Sequence, residues 1–521
     1  MKKILGLVFV IVALALGGYY GMGVVTEHTI AKNVEIINQS NGLFVELAEY
    51  HRGWYQSTAL LNWRIQVPER LSKTPDGQTT TIPAQEYKLQ MPVTVYHGPI
   101  IYADHVIQFG LGYAESDLAV PPAYAEKFTT MFTPASTIPH LKVSLFVNYA
   151  NNSQLHVEVP SFELISKQGG DQFTWKGLDS RLGISSNLKT IEGALTIDGV
   201  RFTKNKMTAL LGKVATAYDL HQTDMGLYLG EASLSLPSFS VAENTTKLID
   251  LSGFEATSSS DVEEGLFHSQ FKTSFHKLLV HGKAYGPAVL EMSLTNLDAQ
   301  ALGEINTEAN NMQQGPQGAR QQAFLTLLPT LPKLFSKGAQ FEVSKLSCVV
   351  PEGLLEGDLL LSLPKGEMGN PFQLLQKIGG HGSLKLPTTL LKGVMTESAK
   401  QKLMTQPTLQ QAMISELKTA QAPQQTAAET PPAQGAPAAA SSETATAATV
   451  VQPTESSTTS QPLTPAEIDQ QAMAQTDAKL AALVQSGVLL LQGSEYVVHV
   501  TLQNGQLSVN GKPFTAAMMQ F

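Results

Sequence analysis

The stretch Leu43–Val67, LFVELAEYHRGWYQSTALLNWRIQV, decides the fold class. Apolar side chains alternate through Leu43, Val45 and Leu47, stop at Arg52-Gly53, and alternate again through Ala59, Leu61, Trp63, Ile65 and Val67. A period of two is the signature of a strand with one buried and one wet face. Gly53 tolerates the backbone of a tight reversal. Two such runs around one glycine read as a β-hairpin, with Trp54 and Tyr55 opening the return strand.

The same pattern recurs along the chain, in EYKLQMPVTVYHGP (86–99), HLKVSLFVNY (140–149), SQLHVEVPSFEL (153–164), IEGALTIDGVRF (191–202), GLYLGEASLSLPSFSV (226–241), FKTSFHKLLVHGKAYGPAVLEMSLTNLDAQAL (271–302) and LLEGDLLLSLP (354–364). Gly, Asn and Asp breaks between strands indicate antiparallel hairpins and meanders. Helical intervals are fewer. They are expected at Ala119–Phe132, Gly318–Phe335 and Leu390–Lys418, the second interrupted by Pro329 and Pro332. Leu463-Thr464-Pro465-Ala466-Glu467 combines an N-cap, a first-turn proline and a capping glutamate, and predicts a helix over Pro465–Ser486. After it, YVVHVTLQNGQLSVNGKPF (496–514) places two strands around Asn504-Gly505, a hairpin expected to pair with the main sheet. The fold class is mainly β (α+β).

The N-terminus opens Met1-Lys2-Lys3 and then carries no charge from Ile4 to Val25, long enough for one helical span with the lysines in the cytoplasm. Tyr19 and Tyr20 fall where an aromatic belt at the far interface would lie. A cleavable signal peptide ending near Ala13-Leu14-Ala15 is the competing reading. Gly17 and Gly21 form one GxxxG pair, a candidate homodimer contact between spans. From Thr419 to Pro462 the chain is almost wholly Ala, Pro, Gln, Ser and Thr, a composition expected to stay disordered. The expected organisation is an anchor at 1–25, a periplasmic β-rich domain at 26–418, a linker at 419–462, and a C-terminal helix and hairpin at 463–521.

With 35 basic against 44 acidic residues, net charge is -9, and nothing points to nucleic acid. Cys348 is the sole cysteine, so an intrachain disulfide is excluded, and a packed thiol is expected. His140, His156, His276, His281, His381 and His499 lack metal-ligand spacing. No nucleophile or phosphate-loop motif stands in a working context. No catalytic, cofactor or metal residue is therefore expected, and the chain is not expected to be an enzyme. One cluster invites chemistry: His51, Arg52 and His97 could converge with Glu49 on an anion or a proton transfer. The plainer reading makes His51-Arg52-Gly53 a hairpin turn and His97-Gly98-Pro99 a strand end.

YHRGWYQS, VYHGP at Val95–Pro99, LLVHGKAYGPAVLEMSLTNLDA at Leu278–Ala299 and the closing LQNGQLSVNGKPF together resemble the YdgA-like family of Gram-negative bacteria, whose function is not established. The resemblance implies an inner-membrane protein with a large, sheet-rich periplasmic domain, and makes Tyr50, Arg52, Gly53, His97, Gly98 and Pro99 family motif residues with a structural role. The leading functional expectation is a non-enzymatic envelope protein acting by interaction. The alternative is a lipid-binding or lipid-transfer groove like the AsmA-type sheets, with Leu290, Met292, Leu294 and Leu297 lining it.

Overall fold

In a computed structural model the described residues are 17–28, 30–31, 34, 38, 43–67, 70–73, 79–103, 105–119, 122–314, 327, 329–366, 374, 376–420 and 464–514. They form a mainly β protein built on one 26-stranded antiparallel sheet. They divide into two compact units, one running to Leu386 and including Val497–Phe514, the other comprising Pro387–Tyr496.

The expected first hairpin is present: β1 (Leu43–His51) pairs antiparallel with β2 (Gln56–Val67). A bulge between Leu47 and Glu49 shifts the register so that Tyr50 stands opposite Ala59. The chain then crosses the sheet strand by strand. β3 (Gln85–His97) pairs with β2, and the small hairpin β4 (Ile100–Ala103) with β5 (Val106–Phe109) follows. Next come β6 (Gly112–Ala119), β7 (His140–Val147), β8 (Ser153–Val159), β9 (Leu178–Ile184), β10 (Thr190–Ile197) and β11 (Val214–Gln222), each paired with its predecessor; β6 itself pairs with β3.

The longest strands, β12 (Tyr228–Glu243) and β13 (Thr246–Glu263), pair along most of their length. β14 (Leu266–Phe275), β15 (Ala288–Asp298), β16 (Gln340–Val350), β17 (Gly353–Ser362) and β18 (Gly379–Pro387) continue the order. β18 pairs with β19 (Glu495–Gln503), which turns at Asn504-Gly505 into β20 (Gln506–Val509). Both turn residues have positive φ, 50° and 73°, the backbone that an Asn-Gly turn takes up without strain.

Three small cores serve this unit. Residues 17–28 form helix α1, and residue Ile30 beyond it packs on Ala59, Val93 and Val95. The β4–β5 hairpin buries Ile101 and Ala103 against Tyr113, with Tyr96 and Phe146 beside them. At the far end Leu297, Ala301, Leu334 and Ala339 are buried with Phe267 and Leu294 around them. The helices there are α3 (Ala299–Gln314) and α4 (Leu331–Phe335); α2 (Pro122–Met131) lies between β6 and β7. α3 carries none of the strand pattern that precedes it. Asp298 starts it by accepting a hydrogen bond from Ala301 N at 2.9 Å.

In the second unit α5 (Thr388–Ala420) and α6 (Pro465–Ser486) are joined by Lys392–Asp477 at 2.6 Å and Lys400–Asp469 at 2.8 Å. α6 opens with a full capping box between Thr464 and Glu467 and ends at Gly487, φ 81°.

The span expected at 1–25 lies outside the described residues as far as residue 16. No helix among the described residues is long and apolar enough to cross a membrane. In the last part of the expected span, the Tyr19 hydroxyl donates to Ile100 O at 2.7 Å, and its ring meets Tyr55 at 6.4 Å. The linker expected at 419–462 lies outside the described residues beyond Ala420.

Candidate functional site

Strand pairing brings the two distant motifs together. β2 and β3 place Ser57 opposite Val95, two residues from His97, on the same sheet face. Ser57 Oγ and His97 Nε2 are 2.7 Å apart, with exposures of 1% and 0%. Gly53 N donates to Ser57 Oγ at 3.2 Å, so the turn glycine and the hydroxyl hold each other. The Tyr50 hydroxyl and His97 Nδ1 are buried beside them without a well-aligned partner. Burial pushes the Tyr50 phenol above its ordinary value, partly offset by Ser57. Burial pushes the His97 imidazole below 6.5, and the positive charge of Arg52 adds to that.

α1 closes the cluster from above. A Cβ built on Gly23 would lie 3.6 Å from the His97 ring and 3.7 Å from Arg52 Cδ, ordinary contact distances that place α1 directly against both side chains. Arg52 Nη1 donates to Glu27 Oε2 at 3.2 Å, and its guanidinium lies 5.1 Å from the Tyr20 ring centroid. His51 and Glu49 do not join: they sit exposed, 3.6 Å from each other. Ser57, Gly23, Glu27 and Tyr20 were missed by sequence reasoning. Ser57 stands inside the YHRGWYQS motif, which was the available signal. A hydroxyl hydrogen-bonded to an imidazole has nucleophile–base geometry, but no substrate reaches atoms this buried. The arrangement clips a helix to a sheet.

The sheet beyond this clip has two chemically distinct faces. Directly paired residues of neighbouring strands share a face. One row runs Val95, Ala114, Leu145, Leu155, Leu182, Gly193, Tyr218, Ala232, Ser258, Phe271, Met292, Val343, Leu359. Flanking rows on that face hold Val143, Val157, Leu195, Leu234 and Leu290 on one side and Val147, Ile184, Ile191, Leu220, Leu294 and Phe341 on the other. No charged residue stands in these three rows. The opposite face carries Lys142, Glu158, Asp179, His156, Arg181, Glu192, Asp219, Glu231, Lys272 and Glu291, with ion pairs His156–Asp179 at 2.7 Å and Lys272–Glu291 at 2.9 Å.

A sheet apolar on one face ordinarily buries it under a second layer. Here, among the described residues, no hydrophobic side chain is buried between Leu118 and Leu227, or between Leu229 and Leu297. Within the first unit, Ile30 beyond α1 packs on Ala59, Val93 and Val95, and α3 with α4 packs by Phe267 and Leu294. Leu290, Met292 and Leu294 lie on the apolar face, whereas Leu297 is core, 3% exposed. At about 4.8 Å per strand the band from β7 to β13 is roughly 30 Å wide.

Two hollows of about 830 and 800 Å³ involve mixed charge, including Lys272, Glu291 and Glu342 in one and Arg181, Glu192 and His156 in the other. Among the described residues no three His, Cys, Asp or Glu side chains are grouped to hold a metal. Cys348 is half-buried, and burial pushes its thiol up. Candidate dimer residues Gly17 and Gly21 face open space.

A large antiparallel sheet with one apolar and one charged face, clipped to an N-terminal helix, is the class of protein this geometry defines. The chain matches over residues 1–517 the family described as bacterial protein of unknown function (DUF945), and it belongs to that family. Neither a curated protein nor a solved structure matches it.

Proposed function

We propose that this chain is a non-enzymatic, membrane-anchored protein of the bacterial envelope that holds the acyl chains of lipids along the apolar face of its sheet. The observation that carries the reading is the uncharged band across the central strands, none of whose leucines, valines and isoleucines is fully buried. Ligands of an uncharged face with only small hydroxyls on it are recognised by apolar contact. α1 carries residues 17–25 of the uncharged Ile4–Val25 segment and lies against His97 at the β3 end of the same face, so a lipid leaving a bilayer would meet that end first. Lys2-Lys3 ahead of that segment supports an inner-membrane anchor with the bulk of the chain in the periplasm. The YHRGWYQS and VYHGP motifs support placing the chain with the YdgA-like members. The open Gly17–Gly21 face supports a dimer through the anchor; crosslinking of full-length Gly17→Leu/Gly21→Leu would show it lost, and an unchanged dimer would remove the anchor from that contact.

Lipid binding is tested by mass spectrometry of the detergent-extracted full chain. The expected result is copurified phospholipid or fatty acid that a Leu155→Glu/Leu182→Glu variant loses while its melting temperature stays within a few degrees. Wild-type protein free of lipid, or carrying a protein on this face instead, would overturn the reading.

A further inference from the structure

The β4–β5 hairpin carries apolar side chains on both faces. Its inner side chains Ile101 and Ala103 are buried, at 0% and 4% exposure. The outward row consists of two cross-strand pairs, Ile100 with Phe109 and Tyr102 with Ile107, exposed by 47, 62, 52 and 61%. A hairpin face turned to water ordinarily alternates to polar residues. Four large apolar side chains in a single exposed patch mark a surface that is covered by something.

Its position says by what. Tyr19 of α1 donates to Ile100 O, so the hairpin is tied to the helix two residues after Gly17. Tyr55, from the hairpin turn beside exposed Trp54, donates to Tyr102 O at 3.0 Å. The uncharged segment starts at Ile4, and the helix it leads into is already held against the domain at Tyr19. Ile4–Leu16 is only 13 residues, against the roughly 20 that a helical span of the hydrocarbon needs. To cross, the span must use residues past 16, which brings Tyr19 and everything bonded to it to the membrane surface.

We propose that the outward face of this hairpin, Ile100, Tyr102, Ile107 and Phe109, is a foot that inserts into the lipid interface beside the anchor. The occupant is the lipid bilayer surface. Aromatic and aliphatic side chains at that depth sit where amphipathic rings prefer to lie. This inference rests on the N-terminal anchor but not on lipid binding by the sheet.

The test uses the full-length chain in a Cys348→Ser background, labelled with an environment-sensitive fluorophore at Ile107→Cys or, as a control, at Ser233→Cys on the charged face. Both are reconstituted into phosphatidylethanolamine/phosphatidylglycerol vesicles containing a headgroup-nitroxide lipid. The expected result is that both proteins float with the vesicles and that the probe at position 107 is quenched at least threefold more than the probe at 233. Equal quenching in floating protein would overturn the foot while leaving the anchor intact. Failure of both proteins to float would overturn anchor and foot together.

Discussion

Ser57 Oγ and His97 Nε2 meet at 2.7 Å across 40 residues of sequence, both fully buried beside the helix of residues 17–28. That contact joins the two motif segments and fixes where α1 lies on the sheet.

Removing it has a definite cost. His97→Ala leaves Ser57 without its buried partner and opens a cavity beneath Gly23, so a loss of about 2–4 kcal/mol is expected. His51→Ala, on an exposed side chain one residue before Arg52, should stay within about 0.5 kcal/mol. Denaturant unfolding of the two variants checks this; similar losses in both would show that the clip does not carry the stability of this end of the sheet.

The clip also sets a pH dependence. His97 is held below 6.5 by burial and Arg52, whereas in the unfolded chain it returns to its ordinary value. The unfolded state therefore binds the extra proton first. Stability from neutral His97 is present above 6.5 and is lost as the pH falls through 6.5 towards the lowered folded value. Midpoints of unfolding measured from pH 8 to pH 5 should fall for wild type and fall less steeply for His97→Gln. Parallel curves would rule His97 out as the source.

On the apolar face Tyr218 lies over Gly193: a Cβ at 193 would come within 2.5 Å of its ring. Gly193→Ala is expected to destabilise by about 1–3 kcal/mol, and Tyr218→Ala to relieve most of that when combined with it. A double-mutant cycle by thermal denaturation measures the coupling. Additive effects would mean that the ring does not pack there.

How much of this was legible differs by element. The β1–β2 hairpin and the Asn504-Gly505 turn were readable because alternation and turn residues are local. α6 was readable because its cap is written in five consecutive residues. α3 was not: Asp298 ends an alternating run, and only its capping bond to Ala301 N separates helix from another strand. The Ser57–His97 contact depends on the register of β2 against β3, which no local pattern states. The same holds for the two-faced sheet. Leu155 and Leu182 each look like ordinary strand leucines, and only their pairing makes them part of one apolar band.

Site-specific photocrosslinking in cells bears most directly on the claim that the apolar face holds acyl chains. Neighbouring residues Arg181 and Leu182 point to opposite faces, so a benzophenone side chain at each samples charge and apolar face within one strand. Lipid adducts on the full-length chain at position 182 and none at 181 are the expected result. Adducts at 182 to protein alone, or lipid adducts equally at both positions, would contradict it.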